Sequence, residues 1–421
     1  MKRPNLLFAD KNGKIYDHPF LKMVTSRWGN EPFVAYSKED FIELPSCSRL
    51  YFIPGTKAIG WDEKYKRYVE LKDKHCVSAF LSPGYLRLLN PMYKKVSRGI
   101  LPLYAYTPVG FLEGKFVVPA IKVDDDSRWN PLNYDFTDKF KERVTVLLNK
   151  YPKNRLYKQL STCALIYHCT AAKNVFEQRW ECPIPTSPTC NSRCVGCISK
   201  QPAECCPSPQ ERINFIPSHE EIAEVALNHY AVAEHPIISF GQGCEGDPIM
   251  VADVIAKAVK IIKRRAPKLT INFNSNCSIP DRIRLLADSG VDSVRVSTIS
   301  FREKTYNAYY NPVGYNLGEV IESIKIAKER GLYISINLLT FPGLTDRKDE
   351  VDATSEAVDK YDINLVQTRN LNIDQDLLFS KLPPPDTEII GIRRMLKKML
   401  SANPRLKIGY FNKTKDEFFA P

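Results

Sequence analysis

No stretch of the chain approaches the ~18 consecutive apolar residues that a membrane-crossing helix needs, so no membrane span is expected. The opening residues, Met1-Lys2-Arg3-Pro4-Asn5-Leu6-Leu7-Phe8-Ala9-Asp10, are basic but meet Asp10 before an apolar signal region can form. The sequence therefore reads as soluble, unexported and cytoplasmic. Compositional bias is lacking too: hydrophobic residues are 43% and charged residues 26%, ordinary usage that argues against wholesale disorder and against collagen-like or coiled-coil fibres. The first half contains no recognisable RNA-binding motif and no catalytic motif, and no cysteine follows Cys277.

At 421 residues, against roughly 100–200 for one domain, two domains or one large domain with an appendage are expected. The net charge of +12 is lopsided. Residues 1–200 hold 32 Lys and Arg against 19 Asp and Glu, whereas residues 201–421 hold 28 against 29. A basic half can attract nucleic acid, anionic lipid or an acidic partner. The charges are spread rather than clustered, which favours a solvated basic face over a nucleic-acid interface.

Twelve cysteines in a chain read as unexported point to metal or redox chemistry rather than disulfides. Cys182, Cys190, Cys194, Cys197, Cys205 and Cys206 fall in one stretch, and the rest are scattered. Cys47, Cys76, Cys163 and Cys277 read as small buried hydrophobes.

Four segments follow from the changes of pattern. Residues 1–150 form a basic β-rich domain, with a hairpin turning at Glu113-Gly114 and a helix near Thr137–Leu148. Residues 151–181 are a connecting helical segment, 182–375 alternate strand and helix, and 376–421 add a helix and a strand. Within the alternating part, Ser218-His219-Glu220-Glu221 is a capping box, and Pro280 starts a helix that Gly290 closes. Helices between strands favour parallel pairing. The fold class expected is α/β: a partial, TIM-like open (β/α)6 barrel with a β-rich N-terminal domain and a short C-terminal helix–strand extension.

Ligands of parallel barrels bind where the strands end and the following loops gather. The first such loop carries Cys190, Cys194 and Cys197 at 3-then-2 spacing. Three thiolates so close suit a [4Fe–4S] cluster with one iron left without a protein ligand. A closed zinc site, with Cys182, Cys205 or Cys206 as fourth sulfur, is the alternative. The second loop, Gly241-Gln242-Gly243-Cys244-Glu245-Gly246-Asp247-Pro248, is glycine-rich, which lets a ligand approach the backbone closely.

The Cys190/Cys194/Cys197 triplet on that loop, followed one unit later by Gly241–Pro248, resembles the radical S-adenosylmethionine (radical SAM) superfamily. The resemblance covers about residues 182–375. It implies that the three thiolates hold a [4Fe–4S] cluster and that SAM chelates its fourth iron. One-electron reduction then cleaves SAM to methionine and a 5′-deoxyadenosyl radical that takes a hydrogen atom from the substrate. It also implies cofactor contacts from Gly241, Gly243, Asn274, Asn276, Arg295 and Ser297, and from Glu245 or Asp247 at the amino group. A flavodoxin- or ferredoxin-type protein is implied as external reductant. The sequence departs from the family at Gly196, where an aromatic residue is common, and in the insertion of Cys244 and Gly246. The absence of cysteine after Cys277 leaves no C-terminal auxiliary-cluster domain.

Substrate contacts are expected from Asn337, Gln367, Arg369, Asn372 and Tyr310, in strands and loops at the barrel mouth. No general acid, base or nucleophile stands out. The leading expectation is a radical SAM enzyme acting on a small molecule, lipid or protein. The alternatives are a radical SAM enzyme modifying RNA, suggested by the basic first half, and a non-catalytic zinc or iron–sulfur protein. The N-terminal domain is expected either to bind RNA or to dock over the barrel mouth.

Overall fold

The computed structural model describes residues 2–28, 31–33, 40–134, 137–202 and 205–419. Its centre is one parallel sheet of seven strands: β1 (Arg179–Ile184), β2 (Glu234–Phe240), β3 (Thr270–Ser275), β4 (Ser293–Thr298), β5 (Tyr333–Thr340), β6 (Leu365–Asn370) and β7 (Lys407–Gly409). Their order in the sheet is their order in the chain, and every neighbouring pair is parallel. That order arises because a helix follows each strand and returns the chain to the same end of the sheet. Six units were expected; the strand of the C-terminal extension pairs with β6 and makes a seventh.

The helices are α1 (His219–Val232), α2 (Ala252–Arg265), α3 (Pro280–Ser289), α4 (Glu303–Tyr310), α5 (Leu317–Glu329), α6 (Lys348–Lys360), α7 (Gln375–Lys381) and α8 (Ile392–Ala402). The capping box at Ser218 forms, as does the Pro280 start with Gly290 as a left-handed cap. Two helix starts are irregular. A 3-10 turn, Pro248–Val251, precedes α2, with Asp247 accepting from the Ile249 amide. α8 begins at Ile392, where Gly391 enters it at φ +88°.

Successive residues of a strand face opposite sides, and here the sides differ in chemistry. Val294, Val296, Ile334, Ile336 and Val366 join Ile255, Val259, Ile324 and Val358 of the helices in one buried core. The intervening Arg295, Ser297, Asn337, Gln367 and Arg369 give the lumen a polar lining. β1 and β7 are the unpaired edges of the sheet. Asn412, just past β7, bridges that gap by donating to Glu181 Oε1 of β1 at 2.7 Å. The tail then runs beneath the barrel: the Lys415 amide donates to Thr270 Oγ1 at 3.0 Å, and Phe418 stacks on Tyr333. Thr270 and Tyr333 begin β3 and β5, so this end of the lumen is covered.

The N-terminal region is antiparallel β, and the hairpin at Glu113-Gly114 pairs Leu112 with Lys115. It docks on the loops after β5 and β6. The Arg87 amide donates to Asn370 Oδ1 (2.9 Å), its Nη1 to Asn372 Oδ1 (2.9 Å) and its Nη2 to the Leu371 carbonyl (2.8 Å). Asn90 Nδ2 reaches the Pro342 carbonyl at 2.8 Å, and Lys95 pairs with buried Asp374 at 2.6 Å. None of the helices among the described residues is long and apolar enough to cross a membrane.

Candidate active site

Beyond β1 the chain enters the loop of Cys190, Cys194 and Cys197, all half-buried. The loop hangs from the last turn of α4. The Arg193 amide donates to the Tyr310 carbonyl at 2.9 Å and the Val195 amide to the Tyr309 carbonyl at 3.0 Å. These carbonyls would otherwise lack partners at the helix end. Tyr306, Tyr309 and Tyr310 are buried and raise one another's neighbourhood around Cys194 to a dry, aromatic one. A Cβ at Gly196 would lie 2.9 Å from the Tyr309 hydroxyl. The departure at Gly196 thus has a packing cause: an aromatic ring from α4 already occupies the space beside it.

Burial, with Asp247 adding, pushes the Cys190 thiol up to about 11. Burial and then the adjacent Cys190 and Cys197 push Cys194 well above the ordinary thiol range. Two donors face the sulfurs. The Ser192 amide lies 3.4 Å from Cys190 Sγ, and Arg212 Nη2 lies 3.6 Å from Cys197 Sγ while its Nε holds Ser199 Oγ at 3.2 Å. Arg212 is a site residue that sequence reasoning missed, since nothing local marks it as a thiol neighbour.

The three thiols are neighbours without converging on one ion: among the described residues no three His, Cys, Asp or Glu side chains form a single-metal nest. Cys182 is buried within β1 beside the helix layer. Cys205 and Cys206 lie 3.6 Å apart, with Cys206 against Leu103 and Tyr106 of the N-terminal region. The donor set, three soft thiols on one loop with an aromatic lining and a cationic donor, fits an iron–sulfur cluster.

The glycine-rich loop after β2 is stitched to this one. Gly241 has φ +81°, and a Cβ there would sit 1.9 Å from the Asn274 carbonyl oxygen, so only glycine fits. Glu245 is buried and its carboxylate accepts from five donors: the Gly241, Gln242, Thr186 and Ser187 amides and the Thr186 hydroxyl, at 2.6–3.0 Å. Burial raises its pKa to about 7 against the pull of those bonds. Asp247 accepts from Ser275 Oγ (2.6 Å), the Asn276 amide (2.7 Å) and the Ile249 amide (3.0 Å). Both carboxylates, expected at a ligand amino group, are placed as braces between loops. Gly243 is exposed at the loop's apex.

Asn274 and Asn276, expected at SAM, also join loops. Asn274 Nδ2 donates to the Phe240 carbonyl at 2.7 Å. Asn276 Nδ2 donates to Asn191 Oδ1 at 2.8 Å and Ser192 Oγ at 3.0 Å, so the third loop touches the cysteine loop directly.

Across the lumen, Arg295 of β4 donates through Nη1 to Gln367 Oε1 of β6 at 2.9 Å. Gln367 Nε2 is itself held by Asn412 Oδ1 at 3.0 Å. The Arg369 guanidinium lies over the Tyr410 ring, 3.7 Å from its centroid. Ser297, Asn337 and Gln367 are register partners across β4, β5 and β6. The structure therefore gathers Arg295, Ser297, Asn337, Gln367 and Arg369 on one wall. It sets two expected substrate residues apart: Asn372 receives Arg87, and Tyr310 is buried behind the cysteine loop.

An open parallel half-barrel presents three neighbouring thiols on its first loop, and its second loop braces that one. Residues 184–354 match the family model of the Radical SAM superfamily. The GTP 3′,8-cyclase of Aquifex aeolicus (strain VF5) is 23% identical over 208 residues, 49% of this chain and 61% of that protein. The alignment thus spans less than two thirds of that relative's length. Among solved structures, methylornithine synthase (PylB) is 16% identical with a TM-score of 0.39, covering 66% of this chain and 76% of its own. Streptococcus suis SuiB bound to S-adenosylmethionine is 12% identical with a TM-score of 0.41, covering 67% and 69%.

Proposed function

We propose that the protein is a radical SAM enzyme that cleaves S-adenosylmethionine reductively and abstracts a hydrogen atom from a substrate held in the barrel lumen. The observation that carries the reading is the loop of Cys190, Cys194 and Cys197, braced on one side by α4 and on the other by Glu245 and Asp247. Bound there, a [4Fe–4S] cluster supplies the electron for SAM cleavage. The chain's own residues do the rest. Cys190, Cys194 and Cys197 ligate, Arg212 donates toward Cys197 and stabilises negative charge on the sulfur, and Tyr306, Tyr309 and Tyr310 keep water from that side. Gly241 and Gly243 leave backbone open to SAM. Ser297 and the Asn276 region stand at the adjoining strand ends. A one-electron reductant of flavodoxin or ferredoxin type serves the cluster.

The test is anaerobic incubation of iron–sulfur-reconstituted protein with SAM and dithionite, quantifying 5′-deoxyadenosine. The wild type is expected to release it, and a variant with Cys190, Cys194 and Cys197 all replaced by Ala is expected to release none. Stoichiometric zinc in place of iron, with no cleavage, overturns the proposal.

A further inference from the structure

Two guanidinium groups in the lumen form no ion pair with a carboxylate among the described residues. Arg295 is half-buried, its Nε is buried without a hydrogen-bond partner, and among the described residues its side chain bonds only a neutral amide, that of Gln367. Arg369 rests on Tyr410 and makes no hydrogen bond or ion pair with any described residue. Burial and then the nearby Arg369 cation hold Arg295 down at about 9. Glu181 is the acid whose charge Arg295 feels, yet it is turned toward Asn412. Asn337 Oδ1, on the strand between the two arginines, is likewise buried and unpartnered.

Buried polar groups are almost always satisfied within a fold, and an exception calls for a reason. Two cations brought together, with the one nearby carboxylate, Glu181, bonded to Asn412 rather than to either of them, are also mutually repulsive. A bound anion removes both penalties. Guanidinium is the side chain whose fork matches the oxygens of a carboxylate or phosphate.

We propose that Arg295 and Arg369 form an oxyanion subsite on the β4–β6 wall that takes the carboxylate or phosphate of the substrate, with Gln367 as the residue that positions Arg295. This rests on reading the lumen as the substrate chamber of a radical SAM enzyme. Position argues for substrate over the carboxylate of SAM. The arginine pair stands on β4 and β6, whereas the thiols and the groups that brace them lie on the loops after β1, β2 and β3. The chain of Glu181, Asn412 and Gln367 fixes the rotamer of Arg295 before any ligand arrives, which lowers the ordering cost of binding.

The experiment is calorimetric titration of the reconstituted full-length protein with acetate and, separately, inorganic phosphate, at ionic strength held constant with chloride. Saturable binding of one anion per chain is expected. Arg369→Gln and Arg295→Gln should each weaken it by about tenfold or more, the loss expected when a charge-assisted bond goes. Arg405→Gln, at an exposed arginine paired with Asp362, should leave it unchanged. Gln367→Leu should weaken binding while leaving the count of one site intact, as expected for a positioning residue. Saturating SAM should not alter anion affinity. Equal affinity in wild type and Arg369→Gln, no saturable binding of either anion, or competition by SAM would each overturn the inference. Because the titration needs no turnover, anion binding that depends on both arginines without SAM cleavage would sink the enzymatic reading while supporting the subsite.

Discussion

The two walls of the barrel mouth treat polar groups in opposite ways. On the wall built by the loops after β1, β2 and β3, the polar side chains that join the loops find protein partners: Glu245 has five donors, Asp247 three, and Asn274 and Asn276 reach neighbouring loops. On the wall of β4, β5 and β6, Arg295, Asn337 and Arg369 keep unsatisfied atoms or lack charge partners. A satisfied network is rigid because each member fixes the next. The first wall is therefore finished without a ligand, as a platform for a reactive centre must be. The second is complete only with something bound.

That contrast can be broken most severely at Gly246. An added Cβ would lie 1.9 Å from the Thr189 carbonyl oxygen, and backbone cannot swing aside as a side chain can. Gly246→Ala is expected to force the first two loops apart, costing roughly 3 kcal/mol, the upper end for overpacking. Urea unfolding and iron content per chain would report it. Retention of both wild-type stability and full iron would show that the loops are not locked.

Acid pH should loosen the same wall by a separate route. His229 of α1 donates through Nε2 to the Trp180 carbonyl at the start of β1, 2.7 Å away. Burial holds its pKa down to about 4. The folded value lies below the ordinary 6.5, so the unfolded chain takes the proton first. Stability from this group is full above pH 6.5 and drains away as pH falls toward 4. The loss reaches about 3 kcal/mol at most. His229→Gln should flatten that part of the stability profile in urea titrations from pH 7 to 4.5; an unchanged slope would assign the acid sensitivity elsewhere.

The smallest effect is expected on the unfinished wall. Arg369→Gln removes a side chain with no hydrogen bond and relieves its repulsion of Arg295. Thermal unfolding should place its change within about 0.5 kcal/mol of wild type, with any shift toward greater stability. A loss several times larger would mean that the arginine already supports the fold.

What the sequence disclosed was local in origin. The Ser218–Glu221 box, the Pro280 start, the Gly290 stop and the 3-then-2 cysteine spacing each lie within a dozen residues, and each appears in the structure where it was expected. The roles of individual site residues were less legible. Glu245 and Asp247 read as free acids because most of their donors come from outside their own loop, from Thr186, Ser187, Ser275 and Asn276. Gly196 read as a gap because Tyr309 reaches it from 113 residues away. Asn372 read as a substrate contact because Arg87, its partner, lies 285 positions earlier. The seventh strand was visible as a strand, but short segments do not announce which sheet they join.

The grip of Arg87 on residues 370–372 has a consequence for how the molecule is made. During synthesis, residue 87 leaves the ribosome hundreds of residues ahead of Asn372. At ≈ 5–20 residues per second, its partner follows after roughly 14–60 s. Through that interval the N-terminal region carries an undocked face with an unburied guanidinium. Its own strands must hold together unaided until the last third of the chain arrives, so the final closing of the mouth is set by the pace of translation.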